Sequence, residues 1–375
     1  MASIQDRREQ GKGWRVRYRD PDGKQRSRSF AKWELANRFA NSVEVDIDRG
    51  EYHDPRAGHV TVKEWAEQWF AMTTPTLKPS TAAAYRSLLD SRIYPRFGRT
   101  RLSNLRPSDI QTFVAELTAE GLSASRVRHC AIVLRMVMAA AVNDGLIRTN
   151  PVLGIRQPKI DRAEAAYFEP AVVDAIAEAM PTAEYLALIR VLGIGGLRFG
   201  EAAALTRDRV DLLRRRLVVR ETLSEVGGRL HRSSTKSYQA RTVPLSPALA
   251  EQLAAHLGAN VDTADDAPVF HAPAGGNLRH GAFYHRRWLP TLETLKLPAV
   301  GLHVLRHSAA ARMIQAGASP KAVQSIMGHK SAGFTLTAYG HLFESDLDDL
   351  AGRLETGSCG PNVAPALTVI EGDAR

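Results

Sequence analysis

"HVLRHSAAARMIQAGASPKAVQSIMGHKSAGFTLTAYGHLF" (303–343) is the stretch on which the reading of this chain turns. It places His303, Arg306 and His307 at helical spacing, then His329, then a single tyrosine, Tyr339, among small and apolar residues. A tyrosine in such company ordinarily packs. One that attacks must shed a proton held with an ordinary pKa of about 10, and so needs partners. His303 and His307 at i, i+4 could ligate a metal on a helix face. The metalloprotease form of that pattern sets a glutamate beside the first histidine, where this chain has Val304, and no acidic third ligand follows nearby.

Two stretches further upstream share the same chemistry. "GLRFGEAAAL" (196–205) holds Arg198 and Glu201 at i, i+3, on one helical face. On a surface such a pair is worth little. An arginine at a helix start in an apolar, glycine-rich setting is harder to keep there, and suggests a bound anion. "SSTKSYQARTVPL" (233–245) carries Lys236 in a turn between strands, a position that is usually just solvated.

Taken together these residues suit phosphoryl transfer without a metal. Nonbridging oxygens gain charge in the transition state, and Arg198 and Arg306 can hold them bidentately. His303 and His329 can donate hydrogen bonds or accept the nucleophile's proton. Lys236 can protonate a leaving oxygen, which an arginine cannot. Tyr339 can bond covalently to phosphorus. No carboxylate cluster for Mg²⁺ stands beside them.

The order Arg198, Lys236, His303-x-x-Arg306, His329, Tyr339 resembles the tyrosine recombinases, the phage integrase family. "GLRFGEAAALTRDRVDL", "HVLRHSAAARMIQAGASPKAVQSIMGHKS" and "TAYGHL" look like its signature boxes, and the resemblance covers 61–350. It implies an arginine clamp at Arg198 and Arg306, a general acid at Lys236, and active-site histidines at His303 and His329. It further implies a supporting carboxylate at Glu201 and a nucleophile at Tyr339 that forms a 3′-phosphotyrosyl bond. His307 and His341 match no catalytic position and read as structural or as peripheral phosphate contacts. The resemblance also implies strand exchange through a Holliday junction by a homotetramer, with neither metal nor ATP as cofactor. Its expected partners are double-stranded DNA with core-type and arm-type sites, an accessory DNA-bending protein and an excision factor. The runner-up readings are a type IB topoisomerase and a non-catalytic DNA-binding regulator.

The rest of the chain fits around this core. "GWRVRYRDPDGKQRSRSF" (13–30) alternates and turns at Asp20–Gly23, a hairpin signal. Residues 7–32 hold ten Lys or Arg against three acids, and an amphipathic helix with Trp33, Leu35, Ala36, Phe39 and Val43 follows. Residues 1–56 therefore read as a three-stranded sheet plus one helix, resembling an arm-type DNA-binding domain. Its expected DNA contacts are Arg15, Arg17, Arg19, Lys24, Arg26 and Arg28. "TVKE" (61–64) and "SDIQ" (108–111) read as capping boxes within an all-helical, SAM-like core-binding domain over 61–158. Arg86, Arg126 and Arg128 are candidate DNA contacts there. A mainly helical catalytic domain with a small antiparallel sheet is expected over 165–350, with strands at 214–223 and 240–246 about a Gly227-Gly228 turn. An acidic tail, 351–375, closes the chain. Just before and into it, "ESDLDDLAGRLE" (344–355) lines up Leu347, Leu350, Ala351 and Leu354 on one face, expected to dock on a neighbouring protomer.

Composition agrees. The 375 residues carry a formal net charge of +10, which favours a polyanionic partner. Arginines outnumber lysines 40 to 10, so each lysine stands out. Two cysteines, Cys130 and Cys359, suggest neither a disulfide framework nor a thiolate metal site. The most apolar run, 130–142, is too short for a membrane span and contains Arg135, and the first residues lack the apolar core of a secretory signal. A soluble protein of the bacterial cytoplasm is expected.

Overall fold

The computed structural model describes residues 2–340 except Asp22, Glu51, His53, Pro55, 161–165, 235–239, Ala274 and Lys330. It divides into two compact units, Met1–Asp161 and Arg162–Arg375.

The first unit opens with an antiparallel sheet in the order β1 (Ser3–Asp6), β2 (Trp14–Arg19), β3 (Gln25–Phe30), covered by α1 (Trp33–Asp48). Alternation decides its faces. Val16 and Tyr18 of β2 are buried against Ala36, Ala40 and Val43 of α1, which leaves Arg15, Arg17 and Arg19 on the opposite face. Ser27 and Ser29 pair across from Arg17 and Arg15 and share that open face. Arg26 and Arg28 pair with Tyr18 and Val16, so they lie on the helix-covered side.

Helices α2 (Val62–Thr73), α3 (Pro79–Leu88), α4 (Tyr94–Phe97), α5 (Pro107–Ala119) and α6 (Ala124–Asn143) complete this unit. Their apolar stripes meet in one core containing Trp65, Trp69, Ile93, Phe97, Ile110, Phe113 and Leu134. Thr61 caps α2 as expected: its Oγ1 accepts from the Glu64 amide at 3.2 Å, and Glu64 accepts from the Thr61 amide at 2.8 Å. The expected cap at Ser108 is corrected. Helix α5 begins at Pro107, whose fixed φ suits the first helical position, and Asp109 reaches back to the Arg106 amide at 3.0 Å. A π-helical segment, Leu89–Ile93, runs into Tyr94-Pro95, where the proline supplies no N–H and its ring crowds the preceding turn.

The second unit contains α7 (Pro170–Glu178), α8 (Ala183–Gly193) and the short α9 (Phe199–Ala203), followed by five strands. Strands β4 (Val210–Asp211), β5 (Arg216–Val219) and β8 (Arg241–Pro244) form one sheet in the order β4-β5-β8. Strands β6 (Glu221–Val226) and β7 (Arg229–Ser234) form a separate hairpin. The strand-rich stretch 214–223 holds parts of two strands in different sheets, broken at Arg220, and the first begins only after Arg215 takes a left-handed φ of 50°. Gly227 and Gly228 form the hairpin turn with φ of 56° and 74°, the geometry that two-residue hairpins favour.

Helices α10 (Pro247–Asn260), α11 (His280–Phe283), α12 (Leu289–Thr294), α13 (His303–Gln315), α14 (Pro320–Met327) and α15 (Ala332–Tyr339) follow. A large core joins α7, α8, α10 and the start of α13 with the β4-β5-β8 sheet. A smaller one gathers Ala310, Ile314, Val323, Met327 and Tyr339 from the last three helices. Among the described residues, no helix is long and apolar enough to cross a membrane.

Candidate active site

Two close approaches of backbone place the first arginine. Gly196 has φ +70°, and a Cβ there would lie 2.8 Å from Met327 Sδ and 3.3 Å from Ala309 Cβ. Only glycine lets the segment before α9 pass this close to α13 and α14. Arg198 then stands at the start of α9. Its amide donates to Glu201 Oε2 at 2.8 Å and its guanidinium to Oε1 at 2.8 Å.

Glu201 is 2% exposed and is the hub of the site. Besides Arg198 it accepts a bidentate pair from Arg241, Nη1 to Oε1 at 2.9 Å and Nη2 to Oε2 at 2.6 Å. Arg306 Nη1 lies 4.0 Å from Oε2. Burial works to raise the Glu201 pKa. The hydrogen bonds and charge of Arg241 and the charge of Arg198 outweigh it and hold the carboxyl at about 2.

Arg306, on α13, is buried and donates to the Gly196 carbonyl at 2.6 Å and to the Met327 carbonyl. Burial, followed by the nearby Arg198 charge, pushes its pKa down to about 9, so it remains cationic at neutral pH. Three guanidiniums therefore share one carboxylate, which leaves the pocket with a surplus of positive charge among the described residues. That is the electrostatic signature of an anion site.

Arg241 was not singled out in the sequence. It fastens three parts of the fold: it pairs with Glu201, its Nε donates to the Ile326 carbonyl at 2.8 Å at the end of α14, and it sits on β8 just after the Lys236 segment. The available signal was an arginine opening a strand, alternating with apolar Val243, which points it at the interior rather than at solvent.

His329 lies just beyond α14. Its Nδ1 is 3.0 Å from the Thr335 hydroxyl of α15. Burial first, then the charges of Arg306, Arg198 and Arg241, push its pKa down to about 4, so it is a neutral hydrogen-bonding group at physiological pH. His303 is exposed at the start of α13, its ring edge-on to His307 with centroids 4.9 Å apart.

Tyr339 ends α15 and is 1% exposed. Its hydroxyl is 2.6 Å from His307 Nδ1. Burial raises its pKa to about 12, against the opposing effect of Arg306. His307 is therefore more than a structural or phosphate-contacting residue: it is the direct partner of the candidate nucleophile. Its place one helical turn after His303, facing α15, comes from tertiary packing.

The structure thus draws Arg198, Glu201, His303, Arg306, His329 and Tyr339 into one region of the second unit. Lys236, His341 and the leucine-faced segment 344–355 lie outside the described residues. The N-terminal and helical-domain candidates divide. Arg17, Arg19, Lys24, Arg28, Arg126 and Arg128 are exposed, while Arg15, partly buried on the open sheet face, donates to the Ser27 hydroxyl at 2.8 Å. Arg26 is paired with Asp20 and Asp54 at 2.9 and 2.6 Å. Arg86 is held bidentately by Glu67 and lies 4.2 Å over the Phe70 ring, a packing role.

An arginine clamp next to a tyrosine with a histidine at its hydroxyl, on a mainly helical unit, is the equipment of an enzyme that transfers phosphoryl groups through a covalent tyrosine. Residues 166–346 match the phage integrase family, and residues 61–118 match its N-terminal SAM-like domain. The chain is 28% identical over 340 residues to the phiRv2 prophage integrase of Mycobacterium tuberculosis, covering 86% of this chain and 87% of that one. It is 27% identical over 278 residues to the integrase of Mycobacterium phage L5, covering 73% of each. The fold is similar to that of the Tn1549 transposon integrase in complex with transposon right end DNA (TM-score 0.67, 19% identity, 78% of this chain and 100% of that one). It is also similar to lambda integrase in a tetramer bound to a Holliday junction (TM-score 0.57, 19% identity, 88% and 96%). The chain belongs to the tyrosine recombinase, or phage integrase, family. It is a site-specific recombinase.

Proposed function

We propose that this recombinase integrates and excises a phage or other mobile element, cutting each DNA strand with Tyr339. The observation that carries the reading is the charge surplus around Glu201: Arg198, Arg241 and Arg306 around one carboxylate. A phosphodiester brings one negative charge and gains a second as the tyrosine oxygen adds to phosphorus. The arginine pocket is matched to that increase, which is the part of binding that accelerates a reaction.

In the proposed sequence, Arg198 and Arg306 hold the scissile phosphate, and His303 and His329 hydrogen-bond to it. Tyr339 attacks, and Lys236 protonates the departing 5′ oxygen. The 3′-phosphotyrosyl bond retains the energy of the broken link, so a 5′-hydroxyl from a second duplex can reseal it without ATP or metal. Two such rounds pass through a Holliday junction and need four protomers on two duplexes. Residues 1–56 act as the arm-type DNA-binding domain, 61–158 as the core-binding domain, 165–350 as the catalytic domain and 351–375 as the tail. The prophage, phage and transposon integrases among its relatives support the mobile-element role. Accessory bending and excision factors would set direction.

The test is a nicked duplex spanning the element's own junction, incubated in EDTA and resolved under denaturing conditions. The wild type forms a protein–DNA adduct stable to detergent, and Tyr339→Phe forms none. Arg306→Ala loses the adduct while keeping most DNA binding. An adduct from Tyr339→Phe would discard the assignment.

A further inference from the structure

We propose that His307 is the catalytic base that takes the phenolic proton of Tyr339, a role for which the sequence offered only His303 and His329, and the proposal rests on Tyr339 being the nucleophile. The contact is direct, with the Tyr339 oxygen 2.6 Å from His307 Nδ1. That is within the range in which a base can abstract a proton.

The surroundings favour transfer in that direction. Tyr339 is 1% exposed, so its oxygen cannot pass a proton to bulk solvent. The groups facing the His307 ring among the described residues are His303 and Arg306 of its own helix and Tyr339 of α15. None is an acid that would keep the imidazole protonated. Burial and the Arg306 charge both lower its pKa, so it stands ready as a neutral acceptor at physiological pH. Arg306 also acts on the phenol, against the effect of burial, so base and clamp bear on one oxygen. The His303 ring, 4.9 Å from that of His307, is exposed.

The step balances. The Tyr339 Oη–H bond breaks and its proton goes to His307 Nδ1, whose other nitrogen already carries one. The Oη–P bond forms as the P–O5′ bond breaks, and the leaving oxygen takes its proton from the acid assigned to Lys236. On resealing, the imidazolium returns its proton to the tyrosine oxygen.

The experiment measures adduct formation on the nicked junction duplex from pH 5.5 to 9 for wild type, His307→Ala and His307→Gln, with melting curves and DNA binding as controls of folding. The wild-type rate is expected to fall as pH drops through the imidazole's pKa. Both variants are expected to be slower at pH 7 by about a hundredfold, the lower end for general base catalysis, and to lose that inflection. Imidazole added to His307→Ala should restore part of the rate. Glutamine keeps a hydrogen bond but cannot take the proton, so His307→Gln at the wild-type rate would show that the residue only holds the phenol. A wild-type pH profile in His307→Ala would also overturn the proposal. If wild type makes no adduct, or Tyr339→Phe makes one, the underlying assignment fails instead.

Discussion

Glu201 shows how a single buried side chain organises a site. Its carboxylate is nearly inaccessible, yet it is held ionised, with its pKa at about 2 against an ordinary 4.5. A depressed carboxyl contributes stability that is fully present above its unfolded pKa and is lost as pH falls through its folded one. The window is therefore between about 4.5 and about 2, and the contribution is about 3 kcal/mol from that difference. Denaturant unfolding as a function of pH should show this loss in wild type and not in Glu201→Gln. Arg241→Ala removes the bidentate partner and leaves the carboxylate under-compensated, a change that costs about 3 kcal/mol in buried pairs. Arg241→Lys should recover only part of that, because an ammonium cannot supply the planar fork. Adduct formation should fall in both variants even where the fold survives, since Arg198 and the end of α14 are both fastened through this residue.

At the scale of the element, backbone geometry decides where the chemistry sits. The Gly196 carbonyl accepts from Arg306 while its φ of +70° leaves no room for a Cβ beside Met327 and Ala309. Gly196→Ala should cost about 2 kcal/mol from the left-handed strain and the overlap, measured by denaturant titration, and should reduce adduct formation by more than that stability loss predicts. Thr61→Ala, at the start of α2 and in the other unit, should cost about 1 kcal/mol through its lost cap and leave adduct chemistry per folded molecule unchanged. The elements also show where sequence patterns were sufficient. The Thr61 cap and the Gly227-Gly228 turn are local signals, and each appears where expected. The break between β5 and β6 was invisible, because both halves of 214–223 have strand composition and their assignment to two sheets depends on β8, more than twenty residues away.

For the molecule as a whole, charge placement matters more than the net charge of +10. The open face of the N-terminal sheet carries Arg15, Arg17 and Arg19, whereas Arg26 and Arg86 are tied into ion pairs. If the open face lies on DNA phosphates, replacing its three arginines by alanine should lower the slope of log affinity against log salt by roughly three, about 0.9 per phosphate contact. Arg26→Ala should leave that slope nearly unchanged and instead loosen the sheet from Asp54.

The residue types and their order were enough to identify the chemistry, because phosphoryl transfer through a tyrosine needs cations, proton-transfer groups and a nucleophile whatever the fold. The Thr61 cap was enough for the start of its helix, because such signals act within a few residues, whereas the start of α5 fell at Pro107 rather than after Ser108. Only the tertiary structure decided that Arg241 anchors Glu201 and that His307 meets the Tyr339 hydroxyl. Those contacts span 40 and 32 residues, and no local pattern constrains a hydrogen bond made when distant helices pack.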